Sequence, residues 1–296
     1  MKLWNFLLIG LILFFLSLFS LYVFYSCNPI LANKHDYYLM IMNNGGQFMI
    51  PQQLYDPNKT NLEELNYPII MKPNVCSGEG RQVSKIKNVK EAKEYINKFD
   101  KSWGDNIVIQ QFDPAPYEVG VLYRKYPGEK HGKIISLGNR SKNKSSDKTN
   151  SGKFVPRSCH NVDCSDKSEW LTPKNKAILI NEIEKMSGIN VCRLDILFDN
   201  LDDFKKGKNF RIIEVNGRMG FNLANYSIKS KLSRMINNLF WLSERFLIGL
   251  MNIMNWTGLN IFLFLKNIFW KGIMAVRENN PEFLITQDYY ESSLLK

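Results

Sequence analysis

Two short runs, Val191–Phe198 and Phe210–Val215, constrain this chain more than any other feature. Both are rich in β-branched and aromatic residues and read as strands. Side chains alternate along a strand. In CRLDILF, Arg193, Asp195 and Leu197 therefore face one way, and Cys192, Leu194, Ile196 and Phe198 face the other. By the same rule Glu214 and Asn216 of FRIIEVN share a face with Ile212. The 11-residue connection Asp199–Asn209 lets the two strands pair antiparallel. Two carboxylates and an amide oxygen then converge beside an arginine on an otherwise apolar pair. Oxygen ligands of this kind suit Mg²⁺, which keeps waters and takes its remaining ligands from nucleotide phosphates. The alternative is a surface hairpin whose charges are solvated.

Around this pair, β-branched runs alternate with helical patterns, which makes the middle of the chain an α/β or α+β region. Further strands are expected at Pro68–Lys72, Ile107–Phe112, Tyr117–Tyr126 and Lys133–Leu137. Asn88 with Glu91 forms a capping-box-like start for a helix carrying Val89, Ala92, Ile96 and Phe99 on one face. Thr172-Pro173 opens a second helix, striped by Ile180, Ile183 and Met186 and stopped by Gly188. Asn139–Lys153, NRSKNKSSDKTNSGK, is free of apolar side chains, consists mainly of Ser, Lys and Asn, and reads as a mobile loop. Length and composition allow one sizeable domain or two small ones: 296 residues, 45% hydrophobic, 23% charged. Five cysteines over such a length are not a small disulfide scaffold. Cys159-His160 and Cys164 lack a fourth partner for a zinc site. The net charge of +11 comes without a basic tract interleaved with aromatics, so nucleic acid is not an expected partner; anionic small molecules and anionic membrane surfaces suit it equally.

Two other elements carry chemistry. In YPIIMKPNVCSGEGRQV a strand delivers Lys72 to its end, Pro73 stops the ladder, and Gly78 and Gly80 bracket Glu79. A lysine beside glycine-rich backbone offers phosphate oxygens a point charge and close N–H donors, although an ordinary hairpin turn has the same look. Neither a Walker A nor a Rossmann spacing is present. In IVIQQFDPAPYEVGVLYRKYPG an apolar strand ends at Gln110-Gln111-Phe112, a Pro-rich turn follows, and a second strand begins with Glu118. Such a hinge offers backbone groups to an adenine edge and a carboxylate to ribose hydroxyls; as the plainer alternative, Glu118 simply faces solvent.

The ends are apolar. Phe6–Phe24 is an uncharged run of 19 residues, long enough as a helix to span about 28 Å. It exceeds the apolar core of most signal peptides and no clear cleavage site follows, so an uncleaved anchor is expected. Phe240–Val276 is apolar and aromatic but punctuated by Glu244, Arg245, Lys266 and Lys271. It reads as interfacial amphipathic helices or as helices closing the core. Arg277–Lys296 reads as a polar tail.

In order and spacing these elements resemble the ATP-grasp superfamily, near the D-alanine–D-alanine ligase-like carboxylate–amine ligases. The likeness runs from about Lys34 to Tyr226: strand-Lys-Pro, glycine-rich loop, hinge followed by Glu, then R-x-D and E-x-N. The segment Tyr117–Glu129 is similar to Y-E-x-G-V-x-Y-x-x-x-P-G-E of membrane-linked members of that superfamily.

The resemblance implies an α+β ATP-grasp fold, two α/β lobes with nucleotide between them. It divides the chain into an anchor (1–27), an N-terminal lobe (28–112), a C-terminal lobe with the metal site (113–235), terminal apolar helices (236–276) and the tail (277–296). It implies that Lys72 holds phosphate oxygens, with Lys34 as an earlier phosphate-contacting lysine, and that Ser77, Gly78 and Gly80 fold over the transferred phosphoryl group. Gln110, Gln111 and the backbone around Asp113 would meet adenine, and Glu118 the ribose. Asp195, Glu214 and Asn216 would hold Mg²⁺ or Mn²⁺, Arg193 would stabilise the acyl-phosphate, and Arg140 or Lys142 would reach the γ-phosphate of ATP. Gln110 stands where relatives often carry an acidic residue, and the domain that usually precedes the lobes is replaced by the anchor.

The expected activity is thus a membrane-anchored ATP-dependent carboxylate–amine ligase, acting on small-molecule carboxylate and amine substrates. It would pass once through a bilayer with its catalytic region on the cytosolic side. A nucleotide-binding module without turnover and a phosphotransferase for a lipid or small alcohol are the alternatives.

Overall fold

Alternation of apolar and polar residues, read strand by strand, builds two antiparallel sheets whose charged faces meet. The computed structural model describes residues 16–23, 26–28, 32–75, 80, 82–104, 106–141, 163–217, 222–228 and 230–254. The first sheet has the order β1-β4-β2-β3, with β1 Gln52–Leu54, β2 Ile69–Pro73, β3 Ser84–Ile86 and β4 Ile107–Gln111. The second has the order β7-β6-β5-β8-β9, with β5 Tyr117–Arg124, β6 Lys133–Ser141, β7 Asp163–Asp166, β8 Val191–Phe198 and β9 Phe210–Asn216. The fold is α+β.

In the first sheet Ile69, Met71, Ile107 and Ile109 point to one side and pack with Ile86 on Ala92 of the Val89–Lys98 helix. The same alternation sends Lys72 and Gln110 to the opposite side. In the second sheet Val119, Val121, Leu194, Ile196 and Ile212 form the main core with Leu179 and Ile183 of the Pro173–Glu184 helix. Phe48 stacks on Phe210 at 4.2 Å, and Phe198 on Phe204 at 4.5 Å, closing that core with an aromatic layer. On the sheet's other face, the Lys231–Ile253 helix covers one end: Trp241, Ile248 and Met251 are buried against Leu122, Tyr126, Ile135 and Val191. Farther along that face lie the charged side chains Glu118, Arg140, Arg193, Asp195 and Glu214.

The chain passes between the sheets twice. Phe48–Ile50 runs beside β9, with Ile212 N–H donating to Phe48 O at 2.7 Å and Ile50 N–H donating to Ile212 O at 3.0 Å, before β1 joins the first sheet. Between Gln111 of β4 and Tyr117 of β5 the Pro-rich stretch crosses back.

Both expected helices form where their caps place them. Asn88 accepts from Glu91 N–H, and Thr172 accepts from Asn175 N–H with Pro173 in the first turn. The strand that was expected to end at Leu137 runs to Ser141, because β7 pairs with its last four residues. Pro73 does not stop the ladder before itself; it closes β2 opposite Ile107. Residues 142–153 of the expected loop lie outside the described residues.

The membrane expectations are corrected. Among the described residues no helix is long and apolar enough to cross a membrane. With that go the transmembrane anchor, the single pass with its cytosolic catalytic side and the lipid-bilayer partner. Of the expected span 6–24, residues 6–15 and 24 lie outside the described residues, as do 255–296. The described part, 16–23, is helical, and its last residue Val23 is fully buried with Cys27. A Cβ built on Gly249 would lie 1.8 Å from Val23 O, so this end of the run is spent on close packing against the Lys231–Ile253 helix. That helix in turn carries Glu244 and Arg245 fully buried inside the protein.

The aromatic layer supplies a stability test. Phe204 is fully buried between Phe198 and Phe210. Phe204→Ala is expected to cost about 3–5 kcal/mol by denaturant titration; a loss under about 1 kcal/mol would mean the layer collapses to refill the space and contributes little.

Candidate functional site

β8 and β9 pair antiparallel, with Arg193 opposite Asn216 and Asp195 opposite Glu214. The register then shifts, so that Ile196 opposes Ile212 and Ile213 is the additional residue of a β-bulge. This corrects the expectation that Glu214 shares a face with Ile212. Uniform alternation would have put either Glu214 into the core or Ile212 onto the charged face. The bulge sends Ile212 into the core and turns Glu214 towards Asp195.

Seven charged side chains from both sheets gather there. Arg193 grips Asp195 through two bonds, Nε–Oδ1 at 2.7 Å and Nη2–Oδ2 at 3.0 Å. Asn216 Nδ2 donates to Asp195 Oδ2 at 3.0 Å and to Glu214 Oε1 at 3.2 Å. Arg140, on β6, places Nη1 2.5 Å from Glu118 Oε1 and 3.5 Å from Asp195 Oδ2. From the first sheet Lys72 Nζ lies 3.8 Å from Glu214 Oε2, and Lys34 Nζ lies at the same distance. Lys34 opens the Lys34–Asn43 helix, whose start is tied to the end of β2: Lys34 N–H donates to Asn74 O at 3.0 Å and His35 N–H to Asn74 Oδ1 at 2.9 Å.

Burial and neighbouring charge together set the titration of Lys72, Glu214 and Arg140. Lys72 and Asp195 are each only 2% exposed. Burial pushes Lys72 down from 10.5 to about 8; Lys34 pushes the same way, while Glu214 and Asp195 pull back up. For Glu214, burial alone would raise the carboxyl, yet Lys34, Lys72, Arg193 and the Asn216 hydrogen bond outweigh it and hold it down at about 2. Burial also works against the Arg140 cation, but Asp195 and Glu118 more than offset this and raise its pKa. Four cations thus surround three carboxylates, and the surplus charge is positive.

Glycines make room for a roof. A Cβ on Gly120 would lie 2.9 Å from Arg193 Cδ and 2.4 Å from Leu223 Cδ1. On Gly138, the paired residue of β6, it would lie 2.8 Å from Ala224 N. The 3₁₀ turn Leu223–Ser227 therefore sits directly on the sheet beside the cluster, capped by Asn222, which accepts from Ser136 Oγ at 2.8 Å.

Of the residues singled out in the sequence, Lys34, Lys72, Gln110, Glu118, Arg140, Arg193, Asp195, Glu214 and Asn216 come together. Asp113 stands apart. Its carboxylate accepts from Arg211 at 2.5 and 2.9 Å and from Ala115 N–H at 2.9 Å, which fixes the crossing between the sheets. The Gln111 side chain is exposed and donates to Pro68 O at 3.3 Å. Gly80 adopts φ 71°, a left-handed turn conformation suited to glycine. Ser77, Gly78 and Lys142 lie outside the described residues. The sequence did not reveal Asn74, Gly120 or Gly138 as parts of the site; glycines at the same level of adjacent strands were the available signal for the last two.

Among the described residues no group of three or more His, Cys, Asp or Glu side chains gathers to hold a metal. Asp195, Glu214 and Asn216 offer a different set: two carboxylates on directly opposed positions and one amide. That donor chemistry fits Mg²⁺, which commonly uses one or two carboxylates and completes its shell with water and phosphate.

No protein-family model matches the chain, and no curated protein matches it. Among solved structures it is similar to an L-amino acid ligase from Bacillus licheniformis, with 19% identity over 66% of this chain and 42% of that one, at a TM-score of 0.41. It is also similar to a D-alanine–D-alanine ligase from Helicobacter pylori, with 17% identity over 69% of this chain and 56% of that one, at a TM-score of 0.42. The chain spans about half the length of these proteins. Likeness at these values assigns no activity to it.

The depressed Glu214 carboxyl has a consequence in acid. A carboxylate held below its ordinary 4.5 adds stability that is complete above that pH and is lost as pH falls towards about 2. Glu214→Gln is expected to flatten the decline in unfolding free energy between these limits. An unchanged acid slope would mean that the lysines do not hold this carboxylate.

Proposed function

We propose that the protein is a nucleotide-dependent enzyme of the ATP-grasp type, holding magnesium–ATP between its two sheets and activating a carboxylate for attack by an amine. One observation carries this: Lys34 and Lys72 from the side of the first sheet and Arg140, Arg193, Glu118, Asp195 and Glu214 of the second converge, largely withdrawn from solvent, as four cations around three carboxylates, a positive surplus that a polyphosphate would complement. Lys34 and Lys72 would take phosphate oxygens. The crossing around Phe112–Asp113 would offer backbone groups to the base, Glu118 a carboxylate to the ribose, and Ser77, Gly78 and Gly80 their N–H groups to the terminal phosphate. Asp195, Glu214 and Asn216 would hold Mg²⁺, whose contribution is to shield phosphate charge.

The chemistry asked of the side chains is electrostatic. A carboxylate oxygen attacks the terminal phosphorus, the bond to the leaving ADP oxygen breaks, and an acyl-phosphate forms. An amine nitrogen then attacks the acyl carbon, phosphate leaves, and the nitrogen gives up a proton to water. Arg193, fixed by Asp195 at its Nε and Nη2, keeps its charge beside the oxygens on which negative charge gathers. Neither step requires a side-chain nucleophile. A second reading, nucleotide binding without turnover, draws on one feature: both Asp195 oxygens already accept from Arg193.

Purified protein is to be titrated with ADP and Mg²⁺, then assayed for ADP release from ATP with a panel of carboxylates, with and without amines. ADP binding should weaken as pH rises through about 8, where Lys72 loses its charge, and Lys72→Arg should remove that dependence. Turnover should require both a carboxylate and an amine, and Asp195→Asn or Glu214→Gln should lower it by about 100-fold or more. Wild-type turnover in either variant would remove the metal assignment. Binding without turnover across the panel would select the second reading.

A further inference from the structure

We propose that Gln110 is a positioning residue, whose amide clamps the Ile213 bulge of the second sheet to Lys72 of the first and does not contact the nucleotide base. The proposal rests on the nucleotide-binding reading above and departs from the adenine contact expected for this position.

The Gln110 side chain is 1% exposed and both of its ends are committed. Its Oε1 accepts from Lys72 Nζ at 2.9 Å. Its Nε2 donates to Ile213 O at 2.8 Å and to Gln52 Oε1 at 3.1 Å. An amide nitrogen carries two N–H donors, so a base edge would find both in use. The orientation is also forced: an ammonium can only donate and a peptide carbonyl can only accept. Glutamate here would satisfy Lys72 but turn an acceptor towards Ile213 O. A hydrocarbon side chain would satisfy neither. Of the residue types with this reach, only glutamine meets both demands.

The partners explain why the clamp matters to the site. Ile213 is the additional residue of the bulge that aims Glu214, and Lys72 is the lysine that Glu214 faces at 3.8 Å. Gln52, the third partner, donates in turn to Lys34 O at 3.4 Å. The Gln110 amide therefore ties Lys72 to the strand that carries Glu214, although the two belong to different sheets, and through Gln52 it reaches the backbone of Lys34. Distortion of this clamp should change how phosphate is held and leave base preference alone.

The test is calorimetric titration with ADP and with inorganic tripolyphosphate, each with Mg²⁺. It compares wild type, Gln110→Glu, Gln110→Met, Glu214→Gln and the Gln110→Met/Glu214→Gln pair, with circular dichroism confirming folding at the working temperature. If one Gln110 variant fails to fold, the other carries the comparison. Both ligands are expected to weaken by the same factor, about tenfold for one buried group left unpartnered. The Gln110 and Glu214 effects should be non-additive, since they act on one cluster. Weakening of ADP with tripolyphosphate unchanged would overturn the proposal in favour of base contact. Unchanged affinities with a lowered melting temperature, or strict additivity, would overturn it in favour of a purely structural role. Wild-type protein that binds neither ligand would remove the nucleotide reading itself, a failure visible before any variant is compared.

Discussion

The opposition of Asp195 and Glu214 across β8 and β9 is the constraint on which the rest of the site depends. Two adjacent carboxylates withdrawn from water repel each other, and each carries a desolvation penalty of several kcal/mol unless it is paired. Cations therefore have to arrive from every side. Arg193 comes from the same strand as Asp195, Arg140 from two strands away, and Lys34 and Lys72 from the other sheet and its preceding helix. The two sheets are thus held face to face by charge as well as by apolar contact. Separating them would take Glu214 away from both lysines and Lys72 away from its facing carboxylate.

The bulge reconciles this with the core. Ile212 must point inward to meet Ile196 and the aromatic layer, and Glu214, two residues on, would follow it in a regular strand. Inserting Ile213 separates the two demands. Its side chain packs in a small apolar cluster with Ile50, Ala115 and Leu197, which sits at the two crossings between the sheets. Its carbonyl, displaced from the ladder, is the acceptor for Gln110. One local irregularity thus serves core packing, the aim of Glu214 and the junction between the sheets.

Much of this was legible in the sequence, and the failures have physical causes. Alternation in CRLDILF and FRIIEVN identified the strands, their antiparallel pairing and the convergence of Arg193, Asp195, Glu214 and Asn216. Caps at Asn88 and Thr172 located two helices. Alternation fails at a bulge, because no local residue signal distinguishes Ile213 from its neighbours; the irregularity is set by what the partner strand and the core require. β1, β3 and β7, three or four residues long, carry too little pattern to be read and exist through pairing with longer strands. The hydrogen bonds of the Gln110 side chain could not be read locally, because its partners lie 38, 58 and 103 residues away.

The C-terminal helix shows what apolar content alone leaves undecided. Along Lys231–Ile253 the apolar residues do not mark the buried stripe in the usual way. Leu232, Met235 and Leu239 are more than half exposed, whereas Ser233, Asn237, Glu244 and Arg245 are buried. Glu244 lies against the sheet, accepting from Arg124 Nη1 at 3.1 Å and from the Tyr126 hydroxyl, with the Arg124 guanidinium 4.2 Å from the Tyr126 ring centre. Arg124 lies on the same face of β5 as Glu118, so this face carries buried charge at both ends. At the Glu118 end the partner is Arg140 of the neighbouring strand, and at the Arg124 end it comes from the helix. A fully buried charge costs so much when unpaired that Arg124 dictates where the helix docks more firmly than any single leucine could, since apolar contacts can slide and this pairing cannot. The helix is therefore positioned by its polar residues, which a search for apolar stripes passes over.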